Sequence, residues 1–265
     1  MNDYLKKLLE SLQIYETMAR DEFIERIHSF NFDLNKEMEF SATTGLLARQ
    51  LTLAVELSRG PTFWTPHIAP IIHRCMIDVT ISLEWIFKDI SENSKKYVEY
   101  GLGQMKLMIE HRKKQLLKDN IKEENDPILQ GYISFLNSQR AEVLTEVNVG
   151  SWSGKSTRAI AEDANAIDLY NYAFTPFSNC VHSMWPHVSV FNLTRTNNPL
   201  HKYTFLPMAP ILPIDPQQML LAAKYLERSF IEFDKFYSLN IKKPSSYQWL
   251  VDELEKFEDQ FDDNE

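Results

Sequence analysis

From residue 2 to 30, apolar side chains return every three or four positions: Leu5, Leu8, Leu9, Leu12, Ile14, Met18, Phe23, Ile24 and Ile27. That is the repeat of an amphipathic helix, long or broken, with one face for a core and one for water. A second such pattern covers 35–58 and stops at Arg59-Gly60-Pro61. Thr65-Pro66 opens a third, because proline in a first turn gives up an amide that has no intrahelical partner. This third helix, 66–89, is apolar on nearly every side, which places it at the centre of a bundle. Further helices are predicted over 92–119, 127–145, 155–164, 166–184, 216–238 and 244–261. Between the last long elements, 186–216 reads as irregular, punctuated by Pro199, Pro207, Pro210 and Pro213. No alternation is strong enough for a sheet. The expected fold is all-α: eight or nine helices around the buried 66–89 helix. One helical domain spans 1–240, with its core over 40–235 and the amino-terminal helix 2–30 packed on it. An acidic helix or tail follows over 241–265.

Composition narrows the class. At 265 residues, 44% hydrophobic and 25% charged, the chain has the make-up of a globular protein able to bury a sizeable core. Cys75 and Cys180 are its two cysteines, both in apolar stretches, and both are expected as buried free thiols, which suits a reducing cytoplasm. Residues 1–20 carry Asp3, Glu10 and Glu16 where a targeting segment would be apolar, and the 71–87 run is broken by His73, Arg74, Asp78 and Glu84. Neither export nor a membrane span is expected.

The net charge of -9 is concentrated in 252–265, where eight acidic residues face Lys256 alone, so the body is near neutral. A broad basic footprint for nucleic acid is absent. Lys106, Arg112, Lys113, Lys114 and Lys118 read as a solvated face offset by Glu110 and Asp119, and the acidic end as a solubilising extension or a contact for a basic protein partner.

Polar residues inside apolar helices hold the candidate chemistry. Arg74 and Asp78 stand four apart on the central helix and can bond directly. Asn171, Thr175, Ser178 and His182 make a polar stripe on an aromatic segment that Pro176 bends. The segment from Trp152 to Arg158 resembles a turn into a helix, where amides and cations would receive an anion such as phosphate; pairing of Arg158 with Glu162 is the competing reading. A proton-transferring His182 or His201, with Arg158 or Arg74 steadying charge, would make a hydrolytic site from Arg74, Asp78, Arg158, Ser178, His182 and His201. The bland account is a set of internal ion pairs that fix helix register. A Ser-His nucleophile lacks its usual strand-turn-helix elbow. His182, His187, His201 and Asp78 show no metal-ligand spacing, and no glycine-rich phosphate loop follows a strand, so neither metal nor cofactor is expected.

The order of these motifs resembles a bacterial, all-helical family known only as a domain of unknown function. The resemblance covers about 40–235 and rests on Arg74-x3-Asp78, Tyr100, Trp152-x5-Arg158, Ser178-x3-His182 and the box Asn198-Pro199-Leu200-His201. Arg195 and His201 also stand at the Arg-to-His spacing of the helical HEPN ribonucleases, with Pro199 between them where that class has a continuous helix. By analogy with such proteins, the resemblance suggests an antiphage or stress effector that cleaves RNA or a nucleotide, with a homodimer as the assembly that helical toxins suggest. The alternative is a non-enzymatic binding or assembly module whose polar cluster is structural.

Overall fold

The computed structural model describes residues 3–30, 33–139, 151–201 and 204–262, with side chains for all of these except 3–5, 34, 201 and 257–262. Among the described residues the fold is all-α apart from one small hairpin. Helix α1 (Asp3–Ser29) runs against α2 (Glu37–Arg59), which packs on α3 (Ala69–Ile86), and α3 is flanked by α4 (Ile90–Lys118). A side hairpin of helices follows, α4 with α5 (Pro127–Ser138), around its own small cluster of Ile109, Leu116 and Leu129. The chain then returns to α3 through α6 (Thr157–Asp163), α7 (Ile167–Leu169), a π-helical turn (Tyr170–Phe174) and α8 (Thr175–Val181). Beyond it lie α9 (Trp185–Phe191), strand β1 (Leu193–Arg195) and strand β2 (Phe205–Pro207), paired antiparallel with Thr194 opposite Leu206. Two helices, α10 (Gln217–Tyr237) and α11 (Ser246–Asp262), close the bundle.

Helix α3 is the centre that its composition predicts, packed by α2, α10, α8 and α6. Met76, Ile77, Leu83 and Ile86 are fully buried. One stripe of α3 nevertheless stays open: Ile71 is 41% exposed, Cys75 is exposed and Asp78 is half-exposed. Positions 71, 75 and 78 recur at four and three and share a face, so the expectation that Cys75 is buried is corrected. Cys180 is partly buried, its Sγ donating to the His67 carbonyl at 3.3 Å.

Caps explain where the helices begin. Asp89, Asp126 and Ser156 each accept a hydrogen bond from an amide three residues on, satisfying donors that the first turn leaves free. Segment 166–184, expected as one bent helix, is instead divided. Pro176 has no amide to donate, and its ring crowds the carbonyl four residues back. The helix widens there into the π turn, with Thr175 donating from its amide and its hydroxyl to the Tyr170 carbonyl.

The carboxy-terminal helix belongs to the core: Leu250 and Leu254 are buried against α1 and α10.

Candidate functional site

The widened turn determines what Arg74 meets. Its guanidinium carbon sits 3.2 Å from the centre of the Phe174 ring, its Nε donates to Ser178 Oγ at 3.0 Å, and its Nη1 pairs with Asp78. Ser178 Oγ in turn donates to the Phe174 carbonyl at 2.7 Å. One arginine of α3 is thereby held by a ring, a hydroxyl and a carboxylate from α8, the π turn and its own helix. Packing lifts the Asp78 carboxyl above the ordinary range while Arg74 pulls it down. With half its surface in water, Asp78 remains the ionised partner of Arg74 at neutral pH.

The other expected members stand apart from this group. Arg158 is 63% exposed and pairs with Glu162 on its own helix at 3.0 Å. Helix α6 meets α3 near Trp85, whose indole donates to Asp163 and packs against Trp152. Trp85 lies eleven residues beyond Arg74, or ~16 Å along the axis. The anion-receiving turn is occupied from within, since Ser156 caps α6 and Lys155 pairs with Asp163. His182 ends α8 one turn past Ser178 and is exposed. The His201 side chain lies outside the described residues. Arg195 is in β1 and Pro199–His201 forms a 3-10 turn, so the Arg-to-His spacing does not fall on one helix. His187 faces His67, Nε2 to Nδ1 at 3.2 Å, and burial followed by that neighbour lowers its pKa. Among the described residues, no group of three or more His, Cys, Asp or Glu is placed to hold a metal ion. No helix among them is long and apolar enough to cross a membrane.

The most deeply buried polar groups are ones the sequence reading passed over. His73 is fully buried between Phe177 and Tyr225, and donates from Nε2 to the Gln218 carbonyl at 2.8 Å. Burial drops its pKa to about 4. Glu84 is gripped by Arg228, which also reaches Asp168. Gln50 bonds Thr80 and the Tyr225 carbonyl where α2, α3 and α10 meet. Arg26 makes a two-pronged pair with Asp234 at 2.9 and 2.7 Å and bonds Glu22, while the Glu22 carboxylate accepts from the Ser246 amide. A signal for this last group was present in the sequence. Glu22 and Arg26 continue the 8, 12, 15, 19 stripe that buries Leu8, Leu12, Tyr15 and Ala19.

Fold and site together define a helical bundle braced by internal ion pairs, with Arg74 joining its central helix to the segment that follows the π turn. The chain belongs to a family of unknown function, DUF5677, whose model matches residues 40–199. No curated protein and no solved structure matches it.

Proposed function

We propose that this protein is a non-enzymatic binding and assembly module. Arg74, steadied by Asp78, and Ser178 clamp α8 to the bundle, and the arm that follows, 181–201 and 204–214, receives a protein partner, a second copy of this chain being the simplest occupant. The observation that carries the reading is the arm's apolar exposure: Met184 is 49% exposed, Trp185 64%, Leu206 48% and Ile211 101%. Trp185 packs edge-on to Phe205 across the hairpin, and the Met208 amide donates to the Asn192 carbonyl, so the arm is built as a unit. Large apolar side chains gathered on one segment mark a contact surface, because monomers seldom leave such patches in water.

Less supports an effector that hydrolyses RNA or a nucleotide in phage defence or stress. Such a site needs a base beside its nucleophile and cations beside the phosphate. Here the Ser178 proton goes to a backbone carbonyl and Arg158 is paired elsewhere.

Light scattering over a range of concentrations tests the proposal. The wild type is expected to assemble, or to carry a co-purifying protein, and a Trp185→Ser, Leu206→Ser variant with an unchanged melting temperature is expected to lose that association. RNA fragmentation on expression that disappears in His182→Ala would overturn it, as would a wild type that stays monomeric and partnerless.

A further inference from the structure

Away from the arm, a cleft of about 490 Å³ opens where α1 ends, α2 begins, α4 starts and α10 stops. Its walls include the rings of Phe30, Phe40, Phe236 and Tyr237. These rings meet at steep angles: Phe30 and Tyr237 at 85° with centroids 4.6 Å apart, Phe236 and Tyr237 at 89° and 4.9 Å. Rings at right angles make a corner instead of a flat stack. Phe236 lies flat against Phe87 at 4.3 Å, and its ring lines the cleft. The Tyr237 hydroxyl is bound to Thr43 at 3.0 Å, so that ring is fixed in place. The left-handed turn at Ser238, with the Leu239 amide returning to the Asp234 carbonyl, ends α10 so that Phe236 and Tyr237 stand in its last turn.

The charged groups on the same walls are Asp33, Glu39 and Lys36. Among the described residues, neither carboxylate is in an ion pair; the Asp33 carboxylate accepts from the Asn35 amide and side chain, both to Oδ1. Helix ends of both polarities meet at the cleft and offset one another, which leaves the side chains to set the sign. Two carboxylates against one ammonium give a negative balance. The negative faces of aromatic rings attract a cation, and methylated ammonium groups suit such a corner because they shed water easily while keeping full charge. The volume falls in the range of small-molecule sites.

We infer that this cleft binds an organic ammonium cation, its alkylated head held by the Phe30, Phe236 and Tyr237 rings and its charge balanced by Glu39 and Asp33. Isothermal titration of the full chain with choline and with tetramethylammonium, beside the neutral choline isostere 3,3-dimethylbutan-1-ol, tests this. Saturable binding of at least one cation is expected, with the neutral isostere at least about tenfold weaker and Phe236→Leu weakening the cation about tenfold. Should Phe236→Leu fail to fold, Glu39→Gln alters no ring and is expected to weaken the cation while leaving the neutral isostere unchanged. Equal binding of cation and isostere, no saturation by either cation, or undiminished affinity in a folded variant would each overturn the assignment.

Discussion

His73 shows how a single residue can be misread by position. In the sequence it interrupts an apolar run beside Arg74, and the eye goes to the arginine because a charge there demands a partner. The histidine is the more deeply buried of the two, and its Nδ1 has no hydrogen-bond partner among the described residues. A neutral imidazole with a depressed pKa resists protonation that the unfolded chain accepts readily. Between the unfolded value of 6.5 and the folded value of about 4, the unfolded state therefore binds more protons, and stability is lost as the pH falls through that window. The loss amounts to roughly 3 kcal/mol when complete. Raised carboxyls such as those of Glu22 and Glu84 act with the opposite sign, so the informative measurement is a difference. Urea unfolding of the wild type and of His73→Gln at pH 7 and pH 5 should show the wild type losing more stability on acidification. Parallel profiles would sink this account. Arg74 and Asp78 could be paired from their spacing of four and Ser178 picked out on its own polar stripe, but that Ser178 meets Arg74 depends on the π turn, which the spacing does not reveal. The pairing of Arg158 with Glu162 was legible from their spacing of four as the competing reading, and it is what the structure holds; that the His182 side chain stays in water was not legible, since that depends on where α8 stops.

At the scale of elements, the clamp between α3 and α8 has a measurable weight. Arg74→Ala removes a ring contact, a hydroxyl contact and an ion pair at once, and is expected to cost about 2 kcal/mol in urea unfolding. Asp78→Asn deletes only the half-exposed partner and should cost under about 1 kcal/mol. Equal costs for both would mean that the pair within α3, not the ring and hydroxyl of the facing segment, carries the arginine's contribution. Most long helices could be read from their period and caps, α2, α3, α4 and α10 within a few residues. The stretch 186–216 could not. Its elements run from three to seven residues, too short for a period to emerge from one sequence, and their pairing depends on contacts between distant positions.

For the whole molecule, the decisive tie is Arg26, which joins the amino-terminal helix to α10 through Asp234 and to the start of α11 through Glu22. The sequence reading packed the amino-terminal helix on the core of the 1–240 domain and left 241–265 as an acidic helix or tail, without a partner for either, because an amphipathic pattern shows that a face is buried and is silent about its neighbour. Arg26→Met strands two largely buried carboxylates and is expected to cost about 3–5 kcal/mol at neutral pH. Burial already raises both carboxyls, Glu22 and Asp234, and losing the guanidinium raises them further. The penalty should therefore shrink as the pH falls toward 5 and these groups take up protons; a penalty independent of pH in thermal unfolding would contradict the assignment. The π turn carries a different kind of information. It holds one residue more than a regular helix would use over the same rise, so deleting a single position from 170–174 would let the segment close into an ordinary spiral while everything after it keeps nearly the same heading about the axis. A chain without that surplus residue would still aim its outward edge the way Trp185 points here, so matching the two position by position calls for a one-residue gap at the turn.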